Sequence, residues 1–217
     1  MSELSGKARI GKGLCLGALG ALGGGAGYLS ARLVMSKPKT SGSLRLGCLD
    51  SPVEVIYDGA GMPHIYADSD LDGFRALGYL MAQDRLVQMR LMMALARGRL
   101  SEIVGKQGLE MDRFVRTLGI ERTAREVVSA LKPASIERIE AFGEGVNSYV
   151  SGSRMRLPFE FMFLGGRPAP FTTVDCMAGY LYVVWMLDTW WTSDIMREQL
   201  IRTLGMERAM QLLPETT

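Results

Sequence analysis

Any chemistry that needs an imidazole must use His64, the sole histidine among 217 residues. A zinc site normally takes two or three histidines or a cysteine cluster, so a single imidazole argues against one. A Ser-His-Asp arrangement would depend on His64 alone, and this residue follows a Gly/Pro turn at the start of a short apolar run, where the bland role is to pin the turn by a hydrogen bond. Three cysteines, Cys15, Cys48 and Cys176, are odd in number and widely spaced. They form neither a CxxC pair nor a disulfide framework and read as small buried hydrophobes. Asp84 and Arg85 interrupt an otherwise apolar helical stretch. Buried there, they would need compensating charges, and an ion network with Arg99, Glu102 or Arg116 is a better expectation than acid-base catalysis. Near the C-terminus two features stand out: the carboxylates Asp194 and Glu198, and an apolar cluster of Met186, Leu187, Trp190 and Trp191.

Composition narrows the functional classes. The apolar share is 47% and the charged share 22%, both ordinary for a globular chain. The net charge of +2 conceals an asymmetry. Lys7, Arg9, Lys12, Arg32, Lys37, Lys39 and Arg45 face one acid, Glu3, in residues 1–47. Beyond residue 47 acids outnumber bases, so nothing there suggests a nucleic-acid surface. Gly13 to Ala31 carries no charge, and as a helix it would be about 28 Å long, close to the hydrocarbon thickness of a bilayer. Its basic flanks favour an export signal or membrane anchor, although its many glycines also suit a flexible leader. Residues 1–35 are therefore expected to be a leader, 36–47 a linker, and 48–217 the folded domain.

The elements that must hold these residues are mostly helical. Val53 to Tyr57 alternates with β-branched residues, Asp58 to Pro63 is a turn, and His64 to Tyr66 is a second strand, which together predict a hairpin. Helical spacing then predicts a long helix from Leu71 to about Leu100, with Gly78 marking a close approach. Asp112 to Leu131 reads as one amphipathic helix, and Ser135 as the N-cap of another running through Val150. A proline- and glycine-rich loop spans 157–170. A last helical region runs from Val174 past Met210, with a break expected near Thr192-Ser193. The fold class is α+β, predominantly helical, with an N-terminal β-hairpin.

Ordered motifs give this outline a likeness. Asp58-x-x-Gly61-Met62-Pro63-His64-Ile65-Tyr66-Ala67 is followed by Gly78-Tyr79 and Ala82-Gln83-Asp84-Arg85-Leu86-x-Gln88-Met89. Then come Gly98-Arg99-Leu100-Ser101-Glu102, Gly105, Asp112-x-x-x-Arg116, Phe142-x-x-Gly145-x-Asn147, Leu157-Pro158-x-Glu160-Phe161 and Pro168-x-Pro170-Phe171. In this order and spacing, over roughly residues 50 to 214, they resemble the α-chain region of penicillin acylase precursors, members of the N-terminal-nucleophile hydrolases. The resemblance implies the α-chain portion of an αββα fold. It also implies a precursor cut into an α chain, a spacer and a β chain, whose new N-terminal serine attacks an amide with its own α-amino group as base. Substrates of the family are small-molecule amides of hydrophobic acids, including β-lactam antibiotics and acyl-homoserine lactones.

By the same resemblance, Glu198, with Asp194 beside it, is the α-chain carboxylate that joins β-chain groups around a structural calcium ion; the alternative is a solvated helix acid. Trp190 and Trp191 fall where the family closes one side of the acyl pocket; the alternative is ordinary packing. Family members carry an Arg-Phe pair there, so the acyl preference is not inherited. No organic cofactor is implied. The sequence ends at Leu213-Pro214-Glu215-Thr216-Thr217, near where the α chain gives way to the spacer, and the expectation is a chain inert without its β chain. The readings from other classes are a membrane-tethered helical binding module and a truncated, non-catalytic fragment.

Overall fold

The computed structural model describes residues 27–31, 33–152, 157–164, 168–188 and 190–212. The alternating segment forms strand β1 (Glu54–Tyr57), paired antiparallel with β2 (Pro63–Tyr66) in a register that sets Val55 against Ile65 and Ile56 against His64. Asp58 organises the turn. Its Oδ1 accepts from the N–H groups of Ala60 and Met62 at 2.9 and 2.8 Å, and Gly61 takes a left-handed φ of 79° that glycine adopts without strain. His64 Nε2 lies 3.3 Å from Asp58 Oδ2, the hairpin-fixing role expected of it.

Helix α1 (Asp70–Ala96) starts at Ser69, whose side chain accepts from the N–H of Asp72. It ends four residues before the expected Leu100, because Gly98 turns left-handed with φ 61°. A local departure from helical geometry at Arg85 kinks it. Asp84 and Arg85 are exposed and make no ion pair among the described residues, which corrects the network expected for them. The helical repeat puts Ala82, Gln83 and Leu86 on the core side and leaves positions 84 and 85 to solvent.

After a short helix α2 (Ser101–Val104) and a 3-10 turn at Gly105–Gly108 come α3 (Leu109–Leu118) and α4 (Ile120–Ala130). One helix was expected across this span; Gly119, left-handed at φ 76°, divides it. Helix α5 (Pro133–Ser151) starts earlier than expected, with Lys132 rather than Ser135 at the N-cap. Pro133 opens the helix, because its fixed φ suits the first turn and its missing N–H is not needed there.

Thr172 and Asp175 form a reciprocal capping box at the start of α6 (Thr173–Leu187). The break expected at Thr192-Ser193 falls earlier, at Asp188, before α7 (Trp190–Leu204); Gly205 then separates α8 (Met206–Leu212).

Helices α1 and α5 cross at two glycines. A Cβ on Gly78 would overlap the carbonyl of Phe142, and one on Gly145 would overlap the carbonyl of Arg75. Their backbones can approach this closely only because both positions lack a side chain. Around the crossing lies one core of Tyr79, Ala82, Leu86, Val146, Tyr149, Val150, Leu157 and Phe161. Ala96, Val115, Ile120, Ala124, Ala178 and Tyr182 form a second, between the end of α1 and helices α3, α4 and α6.

The uncharged run at 13–31 lies mostly outside the described residues. Among the described residues no helix is long and apolar enough to cross a membrane.

Candidate functional site

The polar framework that holds the helices in place is centred on three buried carboxylates, Asp72, Asp112 and Asp175. Asp72, 1% exposed, accepts from the backbone N–H groups of Asp50 and Ser51 at 3.0 Å each and from Arg75 Nη1 at 3.0 Å. Arg75 also donates from Nη1 to Asp50 (2.7 Å) and from Nε to Glu144 on α5 (2.8 Å). The Asp50 and Ser51 amides and the Arg75 guanidinium hold the Asp72 carboxyl below its usual range, and the Glu144, Asp50 and Asp72 carboxylates push Arg75 further up. The chain entering the hairpin is thereby tied to both crossing helices.

Arg97 does the same for the second core. It donates from Nη2 to Glu121 on α4 (2.8 Å) and from Nη1 to Asp175 on α6 (2.7 Å). Arg97 and then Arg125 draw the Glu121 carboxyl down to about 2. Asp112, 3% exposed, accepts from the N–H groups of Leu100 and Ser101 and from the Ser101 hydroxyl. Burial works to raise its pKa, but these bonds outweigh burial and lower it. Asn147 on α5 donates from its amide to Phe171 O and accepts from Phe171 N–H, holding the loop ahead of α6.

Sequence reasoning passed over Asp72, Asp175 and Arg97. The signal for the first two was present: Ser69-x-x-Asp72 and Thr172-x-x-Asp175 both have the spacing of a helix-capping pair. The third needs the packing of α1 against α4 and α6, which no local pattern contains.

The residues expected to serve a substrate or a metal sit elsewhere, on α7 and the end of α6. Trp191 stacks on Trp185 with ring centroids 6.3 Å apart and planes at 22°, and Trp185 in turn meets Phe114 edgewise at 5.5 Å and Tyr182 at a 44° tilt at 5.7 Å. An aromatic row from α3 through α6 to α7 results. Trp190 stands outside it and is 69% exposed. Val184, Met186, Leu187, Ile195 and Met196 are exposed around the two tryptophans, and α7 contributes no buried residue.

Glu198 is exposed and paired through Oε1 with Nε of Arg202 at 2.8 Å, one helical turn on; Asp194 is exposed on the same helix. Among the described residues no three His, Cys, Asp or Glu side chains gather as a metal site. A calcium ion takes six to eight oxygens, so Glu198 could offer only part of a coordination shell. The described cysteines, Cys48 and Cys176, are free and half-buried, while Cys15 lies outside the described residues. Burial pushes the Cys176 thiol up to about 12, which removes it as a nucleophile near neutral pH.

Two regions thus differ in kind: a largely buried polar frame around α1, and an exposed aromatic face on α6 and α7 with Asp194 and Glu198 beside it. The sequence pattern of the penicillin amidase family matches residues 52–216. The chain is 42% identical over 133 residues to penicillin acylase 2 proenzyme from Pseudomonas sp. (strain SE83), a match that covers 61% of this chain and 17% of that protein. It is 32% identical over 206 residues to the acyl-homoserine lactone acylase QuiP of Pseudomonas aeruginosa, covering 95% of this chain and 24% of that one. It therefore spans a minor part of the length of these relatives. Among solved structures, a thermostable penicillin G acylase from Alcaligenes faecalis superposes with a TM-score of 0.61 at 26% identity, over 76% of this chain and 94% of that chain. The chain belongs to the penicillin amidase family.

Proposed function

We propose that this chain is the α-chain-like part of an amide hydrolase that cleaves hydrophobic acyl groups from amides, with β-lactam antibiotics or acyl-homoserine lactones as the substrate class. The observation that carries this reading is a contrast in coverage. The chain matches 94% of one chain of a solved penicillin G acylase, but only 17% and 24% of two curated relatives, one of them named a proenzyme. That pattern fits one chain of a processed precursor, with residues 48–217 as the domain, 36–47 as a linker and 1–35 as an export leader or anchor.

In this reading a β chain of the same precursor completes the αββα layers and supplies the N-terminal serine. The serine Oγ attacks the amide carbonyl, its proton passes to the α-amino group, and the C–N bond breaks to release the amine. Water then hydrolyses the acyl-serine ester. The present chain gives the acyl group a wall at Trp190 and Trp191, where broad apolar rings suit a hydrophobic chain. Glu198 joins β-chain oxygens around a structural calcium ion, exchanging its Arg202 partner for the cation. The exposed apolar residues of α6 and α7 are the surface that the β chain covers.

Co-expression of the 217-residue chain with the β chain of a related acylase tests this. The expected result is a co-purifying complex that hydrolyses a phenylacetyl amide or an acyl-homoserine lactone, with neither chain active alone. Hydrolysis by this chain alone, or failure to associate with any family β chain, would count against it.

A further inference from the structure

Trp185 meets three other rings, and they do different things. Phe114 of α3 and Tyr182 of its own helix seat it against the second core, where Tyr182 is buried and Trp185 half-buried. The third ring is Trp191 of α7, stacked on it with planes 22° apart. Helix α7 buries no residue of its own. The chain leaves α6 at Asp188, whose Oδ1 accepts the N–H of Trp190 at 3.1 Å. That bond fixes where α7 begins. The stack fixes how the Trp191 ring is turned.

Trp190 and Trp191 are therefore not equivalent. Offset-stacked rings with centroids within about 7 Å attract each other beyond the area they bury. Trp191 gains that attraction from a partner already held by two other rings, and at 43% exposure the rest of its surface is open. Trp190 has no ring contact among the described residues. We infer that Trp185 is a positioning residue for the acyl wall: its stack holds the Trp191 indole as a flat, fixed surface that sets the preferred length of the acyl chain. Trp185 acts through Trp191 and does not touch the substrate. The inference rests on the acylase reading and adds to it the residue behind the wall. A long acyl chain lies across more of the ring than a short one, so a displaced Trp191 costs the long chain more.

The complex of this chain with a related β chain, assayed on butanoyl- and dodecanoyl-homoserine lactone, tests it. Trp185→Leu should raise KM for the dodecanoyl substrate about fivefold relative to the butanoyl one, the worth of one aromatic stack. Trp185→Phe, which keeps a ring to stack on, should retain most of the preference. A role in folding alone would lower kcat on both substrates together and leave the ratio of their KM values unmoved. Trp191→Leu should shift that ratio as Trp185→Leu does, and the double variant should shift it no further, since each change removes the same pair. In the chain alone, the coupled circular-dichroism bands of two stacked indoles should vanish in Trp185→Leu and persist in Trp190→Leu. A ratio moved by Trp191→Leu but not by Trp185→Leu, or additive shifts in the double variant, would overturn the inference and leave the acylase reading standing. A ratio unmoved by Trp191→Leu, or a complex without activity, would sink that reading and the inference with it.

Discussion

The crossing of α1 and α5 and the face of α6 and α7 are built on opposite plans. At the crossing two glycines bring backbones into contact, the apolar side chains around them are buried, and the charge that enters the interior, Asp72, meets backbone amides and a guanidinium. On the outer side of α6 and along α7, Val184, Met186, Leu187, Trp190, Ile195 and Met196 face solvent, and of the two carboxylates weighed as ligands Glu198 has only a surface partner and Asp194 is exposed. Burying an apolar side chain is worth about 1.5–3 kcal/mol relative to leaving it in water, so the second region forgoes stabilisation that the first collects. One part of the chain is complete in itself, and the other leaves its apolar side chains in water.

The sharpest way to break this contrast is to fill the crossing. Gly145→Val would drive a branched side chain into the Arg75 carbonyl, and urea denaturation should register a loss of about 3 kcal/mol or more. A loss under about 0.5 kcal/mol would mean that the helices are not in close contact. Next in size, Asp72→Ala leaves the amides of Asp50 and Ser51 and part of Arg75 without their acceptor. The same measurement should show a loss of about 2–3 kcal/mol.

Acid should weaken the frame. The folded-state pKa of Glu121 is depressed to about 2 from 4.5, so the unfolded chain takes up the proton first. Its contribution is complete above pH 4.5 and lost as pH falls towards 2. Discounted for solvent screening, this is about 1 kcal/mol, and Glu121→Gln should flatten the melting temperature profile between pH 5 and 2 relative to the parent. A parallel profile in the variant would remove Glu121 from the account.

The smallest effect belongs to the exposed face. Trp190→Ala in the chain alone should change stability by less than about 0.5 kcal/mol, the usual range for a surface position, while weakening association with a β chain. A large loss in the chain alone would mean that Trp190 packs within its own fold.

The sequence discloses local chemistry well and non-local pairing poorly. The hairpin could be read because alternation, an Asp-Gly turn and His64 are all local, and Gly78 marked a close approach because a glycine inside a helical pattern needs a reason. The helix boundaries at Gly119, Lys132 and Asp188 were displaced from expectation. At the first two, a left-handed glycine and a helix-opening proline each have two local readings, and packing chooses between them. Arg97 could not have been singled out, since its two acids lie 24 and 78 positions away. Trp190, Trp191 and Glu198 were singled out by resemblance. Geometry brings only Trp191 into the aromatic row, and leaves Trp190 and Glu198 facing solvent.

Hydrogen exchange by mass spectrometry, on the full chain alone and after co-purification with a β chain, tests the central contrast most directly. The account predicts slow exchange at the α1–α5 crossing in both states, and fast exchange across 180–204 that becomes slow only in the complex. Equal protection of the two regions in the chain alone, or no gain across 180–204 in the complex, would contradict it.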